Sequence, residues 1–295
     1  MRLTIFQRPF LCQAILSLFL SLTACQPAVK PPSVSRENIL ICPPVQLPEN
    51  EVSEKQSTLE RNPASAISEF WDVSDVDISY VQTDKKYIAF TFDDAPARTL
   101  ERILGVFTAY NEQNSDCPAS ATLFCNGNRV DETQKGVLHW ARTLQFELGN
   151  HTFSHKNLLT LSPAELALEI EKTDKILQSV DGKPAHLFRA PYGNVNDEVK
   201  RAVCAPVVSW TIDTLDWTGR SAEKIYQAVW ENKFSGAIVL MHDGYEETVS
   251  ALKRLLPDLK EAGYQVLSVS AMAKANACPL RNGGVYIRAR KNGKS

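Results

Sequence analysis

Apolar positions along the chain alternate between two periods. Tyr87-Ile88-Ala89-Phe90-Thr91-Phe92 is a compact apolar run of strand length, and after it Leu100, Ile103, Leu104, Phe107 and Tyr110 share one face of a helix. The change of period recurs. Strands are expected at Ala121 to Cys125, Phe146 to Gly149, Leu187 to Arg189, Pro206 to Ile212, Ala237 to Met241 and Gln265 to Val269. Helices are expected over Gln134 to Leu144, Ser221 to Asn232 and Thr248 to Ala262. One further helix carries its own start signal: Ser162 can cap it, Pro163 suits its first turn, Glu165 completes a capping box, and Leu166, Ile170, Thr173 and Leu177 line one face. Such alternation predicts an α/β domain with a parallel sheet, doubly wound or closed into a barrel.

The flanks have a different texture. Arg2 and Arg8 precede an apolar run from Phe10 to Leu22 that ends in small residues, the architecture of a secretory leader and too short to span a bilayer comfortably. Leu22-Thr23-Ala24-Cys25 resembles a bacterial lipobox, which implies removal of residues 1–24, acylation of Cys25 and an extracytoplasmic protein anchored to a membrane by lipid. Residues 25–77 are rich in Pro, Ser and Glu and read as a flexible linker. The domain proper is expected over 78–274, and the basic tail at 275–295 as a solvated extension.

Composition narrows the class without naming a function. The chain has 295 residues, 44% hydrophobic and 22% charged, enough for one large domain. A net charge of −2 gives no electrostatic reason to bind nucleic acid, and nothing in the sequence calls for a protein partner. Setting aside Cys12 and Cys25 leaves Cys42, Cys117, Cys125, Cys204 and Cys278, an odd number with no CxxC spacing; Cys117 and Cys125 are near enough in sequence to close a short loop.

Candidate chemistry gathers where the strands end, as it does in parallel α/β folds. Asp93 and Asp94 follow the first strand, and adjacent carboxylates repel unless cations hold them. After the third strand comes His151-Thr152-Phe153-Ser154-His155, whose spacing would set both imidazoles on one side of a helical turn, able to share a metal. No Glu lies between them, so a base must come from elsewhere, and Asp93 is the obvious candidate. His139 and His186 look structural. Arg189-Ala190-Pro191-Tyr192, Asp213-Thr214-Leu215-Asp216-Trp217 and Leu240-Met241-His242-Asp243 complete the set.

In order and spacing TFDDAP, HTFSH, RAPY, DTLDW and LMHD resemble the five motifs of the polysaccharide deacetylase family, carbohydrate esterase family 4 or the NodB homology domain, over roughly Ile78 to Met272. The resemblance implies a deformed, incomplete (β/α) barrel of about seven parallel strands. It also implies a divalent metal, usually zinc, on Asp94, His151 and His155, with Asp93 as general base and Arg189 orienting it. His242 would be the general acid with Asp216 as its partner, the Tyr192 backbone N–H would meet the oxyanion, and Trp217 and Leu240 would surround an acetyl methyl. The implied reaction is removal of acetyl groups from an N-acetylated polysaccharide outside the cytoplasm: N-acetylglucosamine of peptidoglycan first, exopolysaccharide or chitin oligosaccharide otherwise. Ala95 departs from the usual Gly of the first motif, which implies a less demanding backbone angle or an altered loop. Asn111 to Cys117 looks long for a connection and could shape a substrate groove. Alternatives at this level are a non-catalytic glycan-binding lipoprotein, an O-acetyl esterase, or an iron oxygenase built on the same two-His, one-carboxylate set.

Overall fold

The computed structural model describes residues 69–290, so the expected leader, Cys25, Cys42 and most of the linker lie outside the described residues. Its elements are β1 (Lys86–Ala95), α1 (Leu100–Gln113), β2 (Thr122–Cys125), α2 (Glu132–Thr143), β3 (Glu147–Asn150), α3 (Pro163–Asp181), β4 (Leu187–Phe188) and α4 (Asp197–Val203). Then follow β5 (Val207–Val208), β6 (Ile212–Asp213), α5 (Ala222–Asn232), β7 (Ile238–His242), α6 (Glu246–Glu261), β8 (Tyr264–Leu267), α7 (Val269–Ala275) and β9 (Val285–Tyr286). The strands lie in the order β6-β7-β1-β2-β3-β4-β5-β9, with β8 on the first half of β1, and these pairings are parallel.

That order decides between open sheet and barrel. β5 and β6 lie near opposite edges although only residues 209–211 separate them, so the sheet must curl until the chain can step from one edge to the other. The single strand expected from Pro206 to Ile212 is therefore two, interrupted where Trp210 turns into the barrel interior. With β9 this brings the nine strands, against about seven expected, of a deformed and incomplete barrel.

The last strand corrects the reading of residues 275–290 as a solvated tail; residues 291–295 lie outside the described residues. Val285 and Tyr286 pair with β5, Arg288 bridges Ala237, and Ala289 is fully buried with its N–H on the carbonyl of Gly236. Gly236 has φ 92°, and a Cβ there would sit 2.9 Å from the Ala289 carbonyl oxygen, so the closure demands glycine. Interspersed glycines, asparagines and basic residues hide the short apolar pattern of this stretch. Upstream, Trp71 packs against the interior and hydrogen-bonds Leu280 through its N–H, so the packed fold begins before residue 78.

Strand alternation divides the core. On β1, Ile88, Phe90 and Phe92 face the helices with Leu100, Ile103, Leu104 and Phe107 of α1, while Tyr87 and Ala89 face the interior with Leu187, Trp210, Ile238 and Leu240. α3 begins as expected, with a complete capping box, and buries Leu166, Ile170, Thr173 and Leu177. Asn111 to Cys117 shapes no groove. Asn111 is tied to Ala119, and Asn114 and Asp116 accept from Lys260, at the end of the barrel where β2 starts and opposite the strand ends that carry the candidate chemistry. Cys117 and Cys125 are buried free thiols rather than a disulfide.

Candidate active site

Period-two alternation carries the interior face of each strand up to its C-terminal end. Tyr87 and Ala89 face inward, so Thr91 and Asp93 do as well; Ile238 and Leu240 face inward, so His242 follows; and Arg189 stands one step beyond inward-facing Leu187. Asp93 and His242 are register partners across β1 and β7. Three motifs distant in sequence thus converge on one rim.

Arg189 is 1% exposed, and its guanidinium is held on all sides. Nε donates to the Val208 carbonyl at 3.0 Å and Nη2 to the Ser209 carbonyl at 3.1 Å, while Nη1 donates to Thr91 Oγ1 and to Asp93 Oδ1, both at 2.7 Å. Its flat face lies 4.2 Å from the Phe124 ring centroid. That ring occupies space released by Gly149, where a Cβ would approach it to 2.6 Å. Burial pushes the Asp93 carboxyl up, but the Arg189 charge, helped by His151 and His242, outweighs it and leaves the group below the ordinary carboxylate range. Asp93 is thus a buried carboxylate biased toward its ionised form.

Beside it, Asp94, His151 and His155 each present one ligand atom, and these atoms lie within 4.8 Å of one another. The histidines do not share a helical turn. They lie on an irregular loop after β3 in which Thr152 (φ 70°) and His155 (φ 57°) take left-handed backbone angles, and their ring centroids are 5.0 Å apart. His151 Nδ1 is 2.8 Å from the Arg189 carbonyl, which can only accept, so Nδ1 carries the proton and Nε2 keeps its lone pair. Burial also pushes His151 down and favours the neutral, ligating form. Asp94 has φ 66°, so the demanding angle of the first motif falls on Asp94, and Ala95 is not among the left-handed residues. Arg129 Nη1 grips the Asp94 carbonyl at 2.6 Å, and Asp94 Oδ1 is buried without a hydrogen-bond partner, 3.6 Å from His155 Nε2 and 3.7 Å from Arg129 Nη2. An orphaned carboxylate oxygen facing two imidazoles fits a divalent cation, and the nitrogen–oxygen donor set suits zinc.

Across the rim Asp216, 1% exposed, accepts from His242 Nδ1 at 2.7 Å, the His242 N–H at 2.8 Å, the Trp217 N–H at 2.9 Å and Thr248 Oγ1 at 2.7 Å. Burial lowers His242, but the hydrogen bond to Asp216 and its charge more than reverse this, so the imidazole is held above its ordinary value. Its Nε2 remains for a reactant.

Of the expected pocket residues, Leu240 is buried one strand position pair below His242, Trp217 is 52% exposed beside Asp216, and Tyr192 is 59% exposed with its ring 4.9 Å from that of His155. Tyr192 has φ 61°. His186, expected to be structural, is buried between Asp174 and Asp181 and lies outside the rim. Sequence reasoning gave no role to several residues that build the rim. Asp243 accepts from the N–H groups of Ala97 and Thr99 and anchors the loop after β1. Glu169 of α3 accepts from the N–H and Oγ of Ser154 at 2.7 and 2.5 Å and braces the histidine loop. Asp243 could have been suspected from its place next to His242; Glu169 lies on a helix face like any other.

The polysaccharide deacetylase family model matches residues 80–206. The chain is 32% identical over 193 residues to the peptidoglycan-N-acetylmuramic acid deacetylase PdaC of Bacillus subtilis, covering 65% of this chain and 40% of that one, so it spans less than half the length of that relative. It is 35% identical to a peptidoglycan-N-acetylglucosamine deacetylase of Bacillus cereus, over 66% of this chain and 91% of the relative. A solved structure of Bacillus subtilis PdaC superposes with a TM-score of 0.61 at 31% identity, over 67% of this chain and 94% of that one.

Proposed function

The chain belongs to the polysaccharide deacetylase family, and from that premise we propose that it is a metal-dependent hydrolase removing acetyl groups from an N-acetylated extracytoplasmic glycan. One observation carries the reading. Two proton-transfer groups, one buried and one half-buried, are biased in opposite senses, Asp93 toward its ionised form by Arg189 and His242 toward its protonated form by Asp216, on the rim where Asp94, His151 and His155 converge.

Asp94, His151 and His155 would hold a divalent ion, which would supply Lewis acidity toward an acetyl carbonyl and a water. Asp93 takes the proton of that water through Oδ2, because Oδ1 is engaged by Arg189. His242 delivers a proton from Nε2 to the departing amine, because Nδ1 is engaged by Asp216. The backbone N–H of Tyr192 is assigned to the developing oxyanion. Leu240 and Trp217 are assigned to the acetyl methyl, which needs apolar walls but no polar partner.

Peptidoglycan is the preferred polymer because both relatives are named for peptidoglycan deacetylation, and N-acetylglucosamine the preferred sugar because the relative matched over 91% of its length is named for it. Zinc is the preferred metal, and Cys25 the site of a lipid anchor that would keep the enzyme by the wall. No helix among the described residues is long and apolar enough to cross a membrane. The direct test is acetate release from acetylated glycans by the purified, zinc-loaded chain, with loss on chelation and in Asp93→Asn. No release from any N-acetylated polymer would defeat the proposal. Release only from O-acetylated xylan would make the enzyme an esterase, and glycan affinity without turnover would make it a binding protein.

A further inference from the structure

The histidine loop is held in two left-handed steps, at Thr152 and His155, and a β-branched residue such as threonine avoids that conformation unless its surroundings impose it. What imposes it can be traced by hydrogen bonds away from the rim. The His155 N–H donates to Thr152 Oγ1 at 3.1 Å, and the Thr152 N–H donates to Asn150 Oδ1 at 2.8 Å. Asn150 Nδ2 donates to the Ile170 carbonyl at 2.9 Å and to Asp174 Oδ1 at 3.0 Å. The same Asp174 oxygen is 2.9 Å from His186 Nδ1, and His186 Nε2 is 3.2 Å from Asp181 Oδ1.

The chain of contacts has only one polarity. Turning the Asn150 amide over would set its oxygen against a carbonyl and a carboxylate and its NH2 against the Thr152 N–H, losing all three bonds. Two carboxylates flank His186, so both ring nitrogens donate and the ring is an imidazolium. Asn150 is 1% exposed, Thr152 fully buried and His186 3% exposed, so their bonds are shielded from water. The Asn150 carbonyl meanwhile accepts from the Arg189 N–H at 3.0 Å, so one residue spans the metal loop and the base's cation.

We propose that His186 and Asp174 are positioning residues for the metal site, clamping Asn150 so that Thr152 stays left-handed and His155 stays turned toward Asp94. This rests on the reading that Asp94, His151 and His155 bind a divalent metal. Without the clamp, Thr152 relaxes to an ordinary backbone angle and His155 swings from the other two ligands. Glu169 still grips Ser154, so affinity falls rather than vanishes. Loss of a group that orients metal ligands weakens affinity by about tenfold or more.

The experiment is zinc titration of the purified full chain against a chromophoric chelator at pH 7. Its variants are His186→Leu, Asp174→Ala and, as a control on the same helix, Val180→Ala. Weakening of zinc affinity by about tenfold in the first two variants, with the control unchanged, supports the clamp. Parent-like affinity in both variants overturns it, even if their thermal stability drops, because a merely structural role moves stability and not affinity. Asp174, whose side chain is 19% exposed, can be truncated without opening the core, so Asp174→Ala decides the matter if His186→Leu does not fold. A parent chain that binds no zinc would instead refute the metal reading itself.

Discussion

Replacing Arg189 with methionine isolates the role of the buried cation. Methionine is long enough to keep Phe124 and Trp210 covered, but it removes the charge and the donors to Asp93, Thr91, Val208 and Ser209. Breaking a buried ion pair from one side costs about 3–5 kcal/mol, because the remaining charge is left without compensation. Orphaning the two carbonyls adds about 1 kcal/mol each. Against the 5–15 kcal/mol typical of a domain, the variant should fold with roughly half its stability gone. In the parent the Asp93 carboxyl is depressed, so its contribution is present above the unfolded carboxylate pKa and is lost as pH falls through the folded value. In Arg189→Met burial is no longer outweighed, the folded value rises above the unfolded one, and ionised Asp93 becomes a penalty that grows with pH. Urea denaturation at pH 5 and pH 8 should therefore show a larger loss at pH 8, and Asp93→Asn in the Arg189→Met background should restore part of it. The acidic limb of kcat/KM should move to higher pH. A loss below about 1 kcal/mol, or one equal at both pH values, would falsify the claim that Arg189 acts by holding Asp93 ionised.

Two further outcomes follow from the other charged pairs. Asp216→Asn removes the charge that holds His242 protonated while burial keeps lowering it, so the alkaline limb of the kcat/KM profile should move to lower pH; an unmoved limb would separate His242 from proton delivery. His186 is pushed down by burial, but the hydrogen bonds and charges of Asp174 and Asp181 outweigh this and raise it. Its contribution to stability is thus fully present below the unfolded histidine pKa of about 6.5 and is lost as pH rises through the folded value. The gap in denaturation midpoint between parent and His186→Leu should be widest near pH 6 and narrow in alkali, and a gap that widens with pH would contradict the assignment.

Legibility differed between the two parts of the site. Asp93, Asp94, His151, His155 and His242 stood out because the strand period ends on them and because acids and histidines are scarce in apolar runs. Glu169, Asn150 and Asp174 did not, because each acts through a partner 15 to 24 residues away, and nothing in its own neighbourhood distinguishes it from a solvated polar residue. The left-handed steps at Thr152 and His155 were hidden for a related reason: the HxxxH spacing suits a helix, and only the bonds from Asn150 and Glu169 select the loop.

By itself the sequence located most of the strands and the longer helices, though not α4, α7 or β9, and with them the strand ends that carry the candidate chemistry. Those follow from periods of two and 3.6, which are local properties of the backbone. Tertiary structure decided how the sheet closes. The break of Pro206 to Ile212 into β5 and β6, and the recruitment of Val285 and Tyr286 as the last strand, are settled by which edges meet when a twisted sheet curls. It also decided the charge states at the rim. Whether a carboxylate is ionised or an imidazole protonated depends on burial and on partners such as Arg189 and Asp216, which chain spacing does not reveal.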